Sequence, residues 1–134
     1  MADAVTSQTI QDGERKAILK FTNISDGTGE SAVTKIDVSA LTANSAGKAC
    51  TEVAVAKIWW QCVGMGVELL NDATADTLII GLSPDSNGFH DYSDFSGIPN
   101  NAGDGKTGDV NFTTIGASST DTYTVILEVL KTYG

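Results

Sequence analysis

At 134 residues, with 41% hydrophobic and 19% charged residues, the chain is large enough to bury a core without disulfide or metal staples, and too apolar for a disordered protein. Its formal charge of −9, from 17 acids against 8 bases, excludes nucleic acid and anionic membrane as expected partners, because both call for a basic patch. Residues 1–70 carry eight acids and six bases and residues 71–134 nine acids and two bases, so the second half either meets a basic partner or keeps an abundant protein soluble.

The start, MADAVTSQTI, lacks a basic n-region and an apolar core, and no apolar run approaches 18 residues. Neither a secretory signal nor a transmembrane helix is expected, which points to synthesis in a reducing cytoplasm. Residues 1–7 read as a flexible N-terminal arm, overlapping a short strand candidate at Ala4–Gln11. Asp12-Gly13 supplies turn chemistry. In Arg15–Ile24, period two sets Ala17, Leu19, Phe21 and Asn23 on one face, as in a strand with one buried side. A Ser-Asp-Gly-Thr-Gly loop follows, and Ala32–Leu41 alternates again.

Val53–Leu70, VAVAKIWWQCVGMGVELL, is the longest apolar stretch and holds both tryptophans. Ala54, Ala56, Ile58, Trp60 and Cys62 form one register, and Val53, Val55, Lys57, Trp59, Gln61 and Val63 the other, as expected of a half-buried strand. Gly64 and Gly66 interrupt it before Val67–Leu70, and the whole reads as a central hairpin with one indole inside and one available for an interface. Cys50 and Cys62 fall twelve residues apart on that strand, about 40 Å if fully extended, far beyond disulfide reach. Both read as free thiols. Thr77–Leu82 reads as a buried strand, Asp109–Ile115 as another, and Thr122–Tyr133 as the last, with Tyr123, Val125, Leu127 and Val129 on its apolar face. Between them, Ser83–Gly108 reads as a long irregular loop of about 26 residues, well past the usual length, and so as a functional or interface segment. The sum is a single β-sandwich domain over residues 1–134, all-β, with two antiparallel layers of about eight strands, jelly-roll-like or alternatively immunoglobulin-like.

Chemistry is sparse in the pattern. His90, the one histidine, lies among carboxylates in Gly88–Tyr92 but without a nucleophile elbow, and reads as a solvated loop residue. Two thiols on one strand and a lone imidazole do not have zinc spacing. Gly103-Asp-Gly-Lys-Thr lacks the phosphate-loop spacing. Asp85-Ser-Asn-Gly-Phe-His-Asp91, with Asp94 and Asp104 nearby, has the oxygen-rich look of a calcium loop, but Ser96 stands where a bidentate Glu belongs. No acid pair is distinguished for glycoside hydrolysis. The expectation is a protein that is no enzyme and calls for no cofactor or metal.

Three segments together carry a resemblance: Asp12–Leu41 (DGERKAILKFTNISDGTGESAVTKIDVSAL), Lys57-Ile-Trp-Trp, and Ala102–Thr114 (AGDGKTGDVNFTT). The combination resembles small virion structural proteins of tailed bacteriophages, especially capsid decoration (cement) proteins of marine and cyanobacterial phages. That resemblance implies a β-rich protein on the outer surface of the head, with the major capsid protein as partner and a homo-oligomer, often a trimer, as its state. Contact residues are expected among the aromatics, namely Trp59, Phe89, Tyr92 and Phe95, because aromatic side chains anchor interfaces. The alternatives are a phage tail or fibre component, or a calcium-assisted carbohydrate-binding β-sandwich.

Overall fold

The computed structural model describes residues 4–133. Nine strands lie in two antiparallel sheets among these residues. They are β1 (Ala4–Asp12), β2 (Lys16–Asp26), β3 (Val33–Ile36), β4 (Cys50–Val63), β5 (Gly66–Asn71), β6 (Thr77–Leu82), β7 (Asn87–Asp91), β8 (Val110–Ile115) and β9 (Ser119–Tyr133). One sheet runs β1-β2-β9-β4-β7 and the other β3-β8-β5-β6. Without β1, each sheet has four strands, and the chain alternates between sheets in the order of a jelly roll, with β1 added outside β2.

The inner faces meet in one core. Ala17, Leu19 and Phe21 of β2, Val125, Leu127 and Val129 of β9, and Val67 and Leu69 of β5 are buried in it, with Phe21 and Phe112 edge-to-face at 5.2 Å. The registers expected for β2 and β9 are the ones found. Cys50 and Cys62 are buried free thiols, and burial pushes the Cys62 thiol up to about 11.

Four expectations are corrected. The Val53–Leu70 stretch is no hairpin: β4 and β5 belong to opposite sheets, and Gly64, at φ 82°, and Met65 carry the chain between them. The Gly64 N–H donates to the Asp85 carboxylate at 2.7 Å, which holds that crossing. Second, the register of β4 shifts between Val55 and Lys57. Val53 and Val55 face inward before the shift and Ile58 and Cys62 after it, so no single period-two set describes the strand. Third, residues 4–7 of the supposed arm belong to β1, paired from Ala4↔Ile24 to Ser7↔Phe21; residues 1–3 lie outside the described residues. Fourth, Ala32–Leu41 is strand only to Ile36. Asp37 then accepts from Ser39 N at 3.0 Å and caps a 3-10 turn over Val38–Ala40.

Two buried polar clusters tie the layers together. Glu30 receives Tyr123 OH at 2.6 Å, Asn23 Nδ2 at 3.0 Å and Lys35 Nζ at 2.5 Å. At the other end the Lys131 ammonium, fully buried, pairs with Asp12 and donates to Gly13 O at 2.6 Å and Thr42 O at 3.1 Å.

Candidate protein interface

The segment 83–108 is not wholly irregular. Asn87–Asp91 is strand β7, paired antiparallel with β4 from Gln61↔Asn87 to Lys57↔Asp91. Local hydrogen bonds explain why a sequence of low strand propensity extends the sheet here. Asp85 adopts a left-handed φ of 56°, Ser86 Oγ donates to Ser83 O at 2.6 Å, and Cys62 N donates to Ser86 O at 2.7 Å. After β7, the Asp91 carboxylate accepts from Ser93 N at 2.8 Å and opens a 3-10 turn over Ser93–Phe95. Tyr92 N then donates to Ala56 O at 2.6 Å and Ile98 N to Val55 O at 2.9 Å. The irregularity in β4 is therefore where the segment after β7 docks.

Strand alternation puts three cross-strand pairs on the outer face of the β4–β7 ladder: Gln61 with Asn87, Trp59 with Phe89, Lys57 with Asp91. The Trp59 and Phe89 rings stack at 5.2 Å and 27°. On the inner side the Trp60 ring packs against the core, its Nε1 donating to Ser86 Oγ at 3.1 Å. Gly88 lies opposite it, and a Cβ there would come within 3.1 Å of the indole. The Trp60, His90, Tyr92 and Phe95 rings continue in a chain, with successive centroids 4.9, 5.9 and 6.0 Å apart.

Of the four aromatics singled out by sequence, the structure brings Trp59 to Phe89 and Tyr92 to Phe95 on one sheet edge. Phe89 and Phe95 are 49% and 60% exposed, while Trp59 is half-buried and Tyr92 rests on the core, its phenol pKa raised by that burial. Asp85, Asp91 and Asp94 are exposed around them. The ridge is thus apolar in its middle and acidic at its rim, the anatomy of a protein-binding patch.

The oxygen-rich residues of this segment are not gathered at one point. Residues 87–91 are extended, so their side chains alternate between faces, and the Asp85 and Asp91 carboxylates are engaged by Gly64 N and Ser93 N. Among the described residues no three His, Cys, Asp or Glu side chains are grouped to hold a metal ion. His90 is exposed, in a strand and not a loop, with aromatic rings as its neighbours. A groove of about 790 Å³ lies elsewhere, over Ala54 and Leu130 and bordered by Arg15, Lys16, Ser96 and Tyr133.

Sequence reasoning missed one surface altogether. All of β1 from Ala4 to Gln11 is exposed, at the outer edge of the five-stranded sheet. The signal was present: Ala4–Gln11 contains no charge, proline or glycine.

No family model and no curated protein matches the sequence. Among solved structures, the chain is similar to a cupin superfamily protein from Desulfitobacterium hafniense DCB-2, with 11% identity over 98% of this chain and 80% of that one, at a TM-score of 0.36. It is also similar to an uncharacterized conserved protein with a double-stranded β-helix domain from Klebsiella pneumoniae subsp. pneumoniae MGH 78578, with 7% identity over 97% and 77%, at 0.40. At such values the fold rests on the strand order itself.

Proposed function

We propose that this chain is a non-enzymatic structural protein of a tailed-phage virion, most simply a decoration protein that binds the outer surface of the head and bridges neighbouring major capsid proteins. The observation that carries the reading is the set of aromatics at the β7 edge, where Phe89, stacked on Trp59, and Phe95, packed against Tyr92, both stand open to solvent. Open aromatics on a rigid sheet lose little freedom on binding and remove much apolar area from water. The resemblance of Asp12–Leu41, Lys57–Trp60 and Ala102–Thr114 to phage decoration proteins supplies the partner. Repetition by capsid symmetry then turns many modest contacts into a firm hold.

Co-sedimentation of the purified protein with expanded heads that lack it tests the reading. Saturable binding at a symmetry-related copy number is expected, with Phe89→Ala and Phe95→Ala each weakening it about tenfold or more, the range of an interface anchor. If the acids beside these aromatics meet a basic capsid surface, binding should weaken with salt. A protein that stays in the supernatant at all concentrations defeats the decoration role and moves attention to a tail or fibre position. A glycan-binding role has one specific observation in its favour: the amide pair Gln61/Asn87 and the charged pair Lys57/Asp91 flank the Trp59–Phe89 stack. Binding of the isolated protein on a glycan array would select it.

A further inference from the structure

The two sheets have four outer edges among the described residues, β1, β7, β3 and β6, and the last three are short. β7 has five residues, with His90 and Asp91 at its end; β3 has four and a register shift; β6 has six, opposite a shift in β5. Irregularity, brevity and charge are the devices that stop an edge from pairing with another chain. β1 differs in length and charge, although its register also shifts, between Thr9 and Gln11. It is nine residues long, in unbroken register with β2 from Ala4 to Thr9, uncharged up to Asp12, and exposed on both faces. The backbone edge of β1 away from β2 has no strand partner among the described residues, while on its inner face Ser7 and Thr9 share a cavity with Lys35 and Ile36 of β3 and stay exposed.

We propose that β1 is the pairing edge for β1 of a second copy, in an antiparallel two-fold contact that joins two five-stranded sheets into one of ten. The charge distribution selects this occupant. A chain of net charge −9 repels its own copies, and Ala4–Gln11 is an edge on which two copies meet without opposing charges. In a register centred on Ser7, Val5 lies opposite Thr9 of the second copy, and Thr6 opposite Gln8, so the cross-strand pairs over Val5–Thr9 are all neutral. Pairing also gives β1 what the isolated chain does not, since ordering a strand costs about 1–2 kcal/mol per residue in backbone entropy and β1 buries almost no side chain against it. A two-fold pair differs from the trimer that the phage resemblance implies, and it stands independently of the proposed function.

The test is the mass of the full chain by sedimentation equilibrium across micromolar to near-millimolar concentration. A monomer–dimer equilibrium is expected, and Ser7→Lys, which sets two ammonium groups across the axis at an exposed position, should weaken it at least tenfold. Hydrogen exchange on the unmodified protein gives a second readout: β1 amides should become protected as concentration rises, while β9 amides stay unchanged. A monomer at all concentrations, a trimer, or a dimer indifferent to Ser7→Lys whose β1 exchange does not depend on concentration would each overturn the proposal.

Discussion

Lys131 shows how a single residue closes one end of the sandwich. Its ammonium is fully buried, between the Asp12 carboxylate and the carbonyls of Gly13 and Thr42, so one side chain on β9 ties down the β1–β2 turn and the loop before β4. Lys131→Met should cost about 3 kcal/mol, the lower end for breaking a buried pair, because Asp12 keeps some access to water; a urea midpoint measures it. Burial by itself would raise the Asp12 pKa, but the hydrogen bond from Lys131, those from Thr42 and the Lys131 charge outweigh it and hold the carboxyl below its ordinary 3.8. A depressed carboxylate stabilises the fold above its unfolded value and loses that contribution as pH falls through the folded value. The acid limb of the stability curve below about pH 4 should therefore be shallower in Asp12→Asn. Asp109 has the opposite sign. Desolvation raises its pKa, the charges of Asp37 and Asp72 add to that, and the hydrogen bond from Val38 N only partly offsets them. Its cost is absent below the ordinary value and grows as pH rises through the folded one. Asp109→Asn keeps an acceptor for Val38 N, and should raise Tm by about 2–4 °C at pH 7 with no gain at pH 3. Equal shifts at both pH values would mean that the charge is not the cause.

At the scale of elements, β2 and β9 were legible because their alternation is clean: Ala17, Leu19, Phe21 and Asn23 point inward on one, and Tyr123, Val125, Leu127 and Val129 on the other. The jelly-roll strand count was legible from turn spacing. What local pattern does not carry is which strands pair. Val53–Leu70 looks like a hairpin because two apolar runs flank glycines, yet the sandwich sends them to opposite sheets, where each buries one face against the other layer. β7 was invisible for a related reason. Asn87-Gly-Phe-His-Asp has little strand propensity, and it becomes a strand through cross-strand contacts with Trp59 and Trp60 that lie more than twenty residues away. The aromatic site was thus half legible: residue type marked Trp59, Phe89, Tyr92 and Phe95, while their assembly on one edge depended on a strand that the sequence hides. If that assembly is what forms β7, the Trp59–Phe89 pair should be energetically coupled. A double-mutant cycle of Trp59→Ala and Phe89→Ala should return about 0.5–1.5 kcal/mol of interaction by chemical denaturation. Additive losses would mean that β7 is held by its backbone ladder alone.

For the whole molecule, the same sandwich carries two kinds of surface on the two edges of one sheet. The β7 edge is short, aromatic and flanked by exposed acids, suited to a different protein; the β1 edge is longer and uncharged up to Asp12, suited to a like strand. These edges are separated by β2, β9 and β4, so one partner can be held on each without competition. The arrangement makes β1 peripheral to folding. Its ladder contributes about 0.5–1.5 kcal/mol per hydrogen bond, close to the backbone entropy of ordering it, while its side chains add almost no burial. Removing residues 1–9 keeps Asp12 for Lys131 and leaves β2 as the new edge, guarded by Lys16 and Lys20. The truncated chain should still unfold in one cooperative transition, with Tm lowered by less than about 10 °C, an effect of about 1–3 kcal/mol. Calorimetry decides it, and loss of the cooperative transition would show β1 to be part of the folding core. Retained folding with retained head binding would further separate the two edges, since contact with the capsid would then owe nothing to β1.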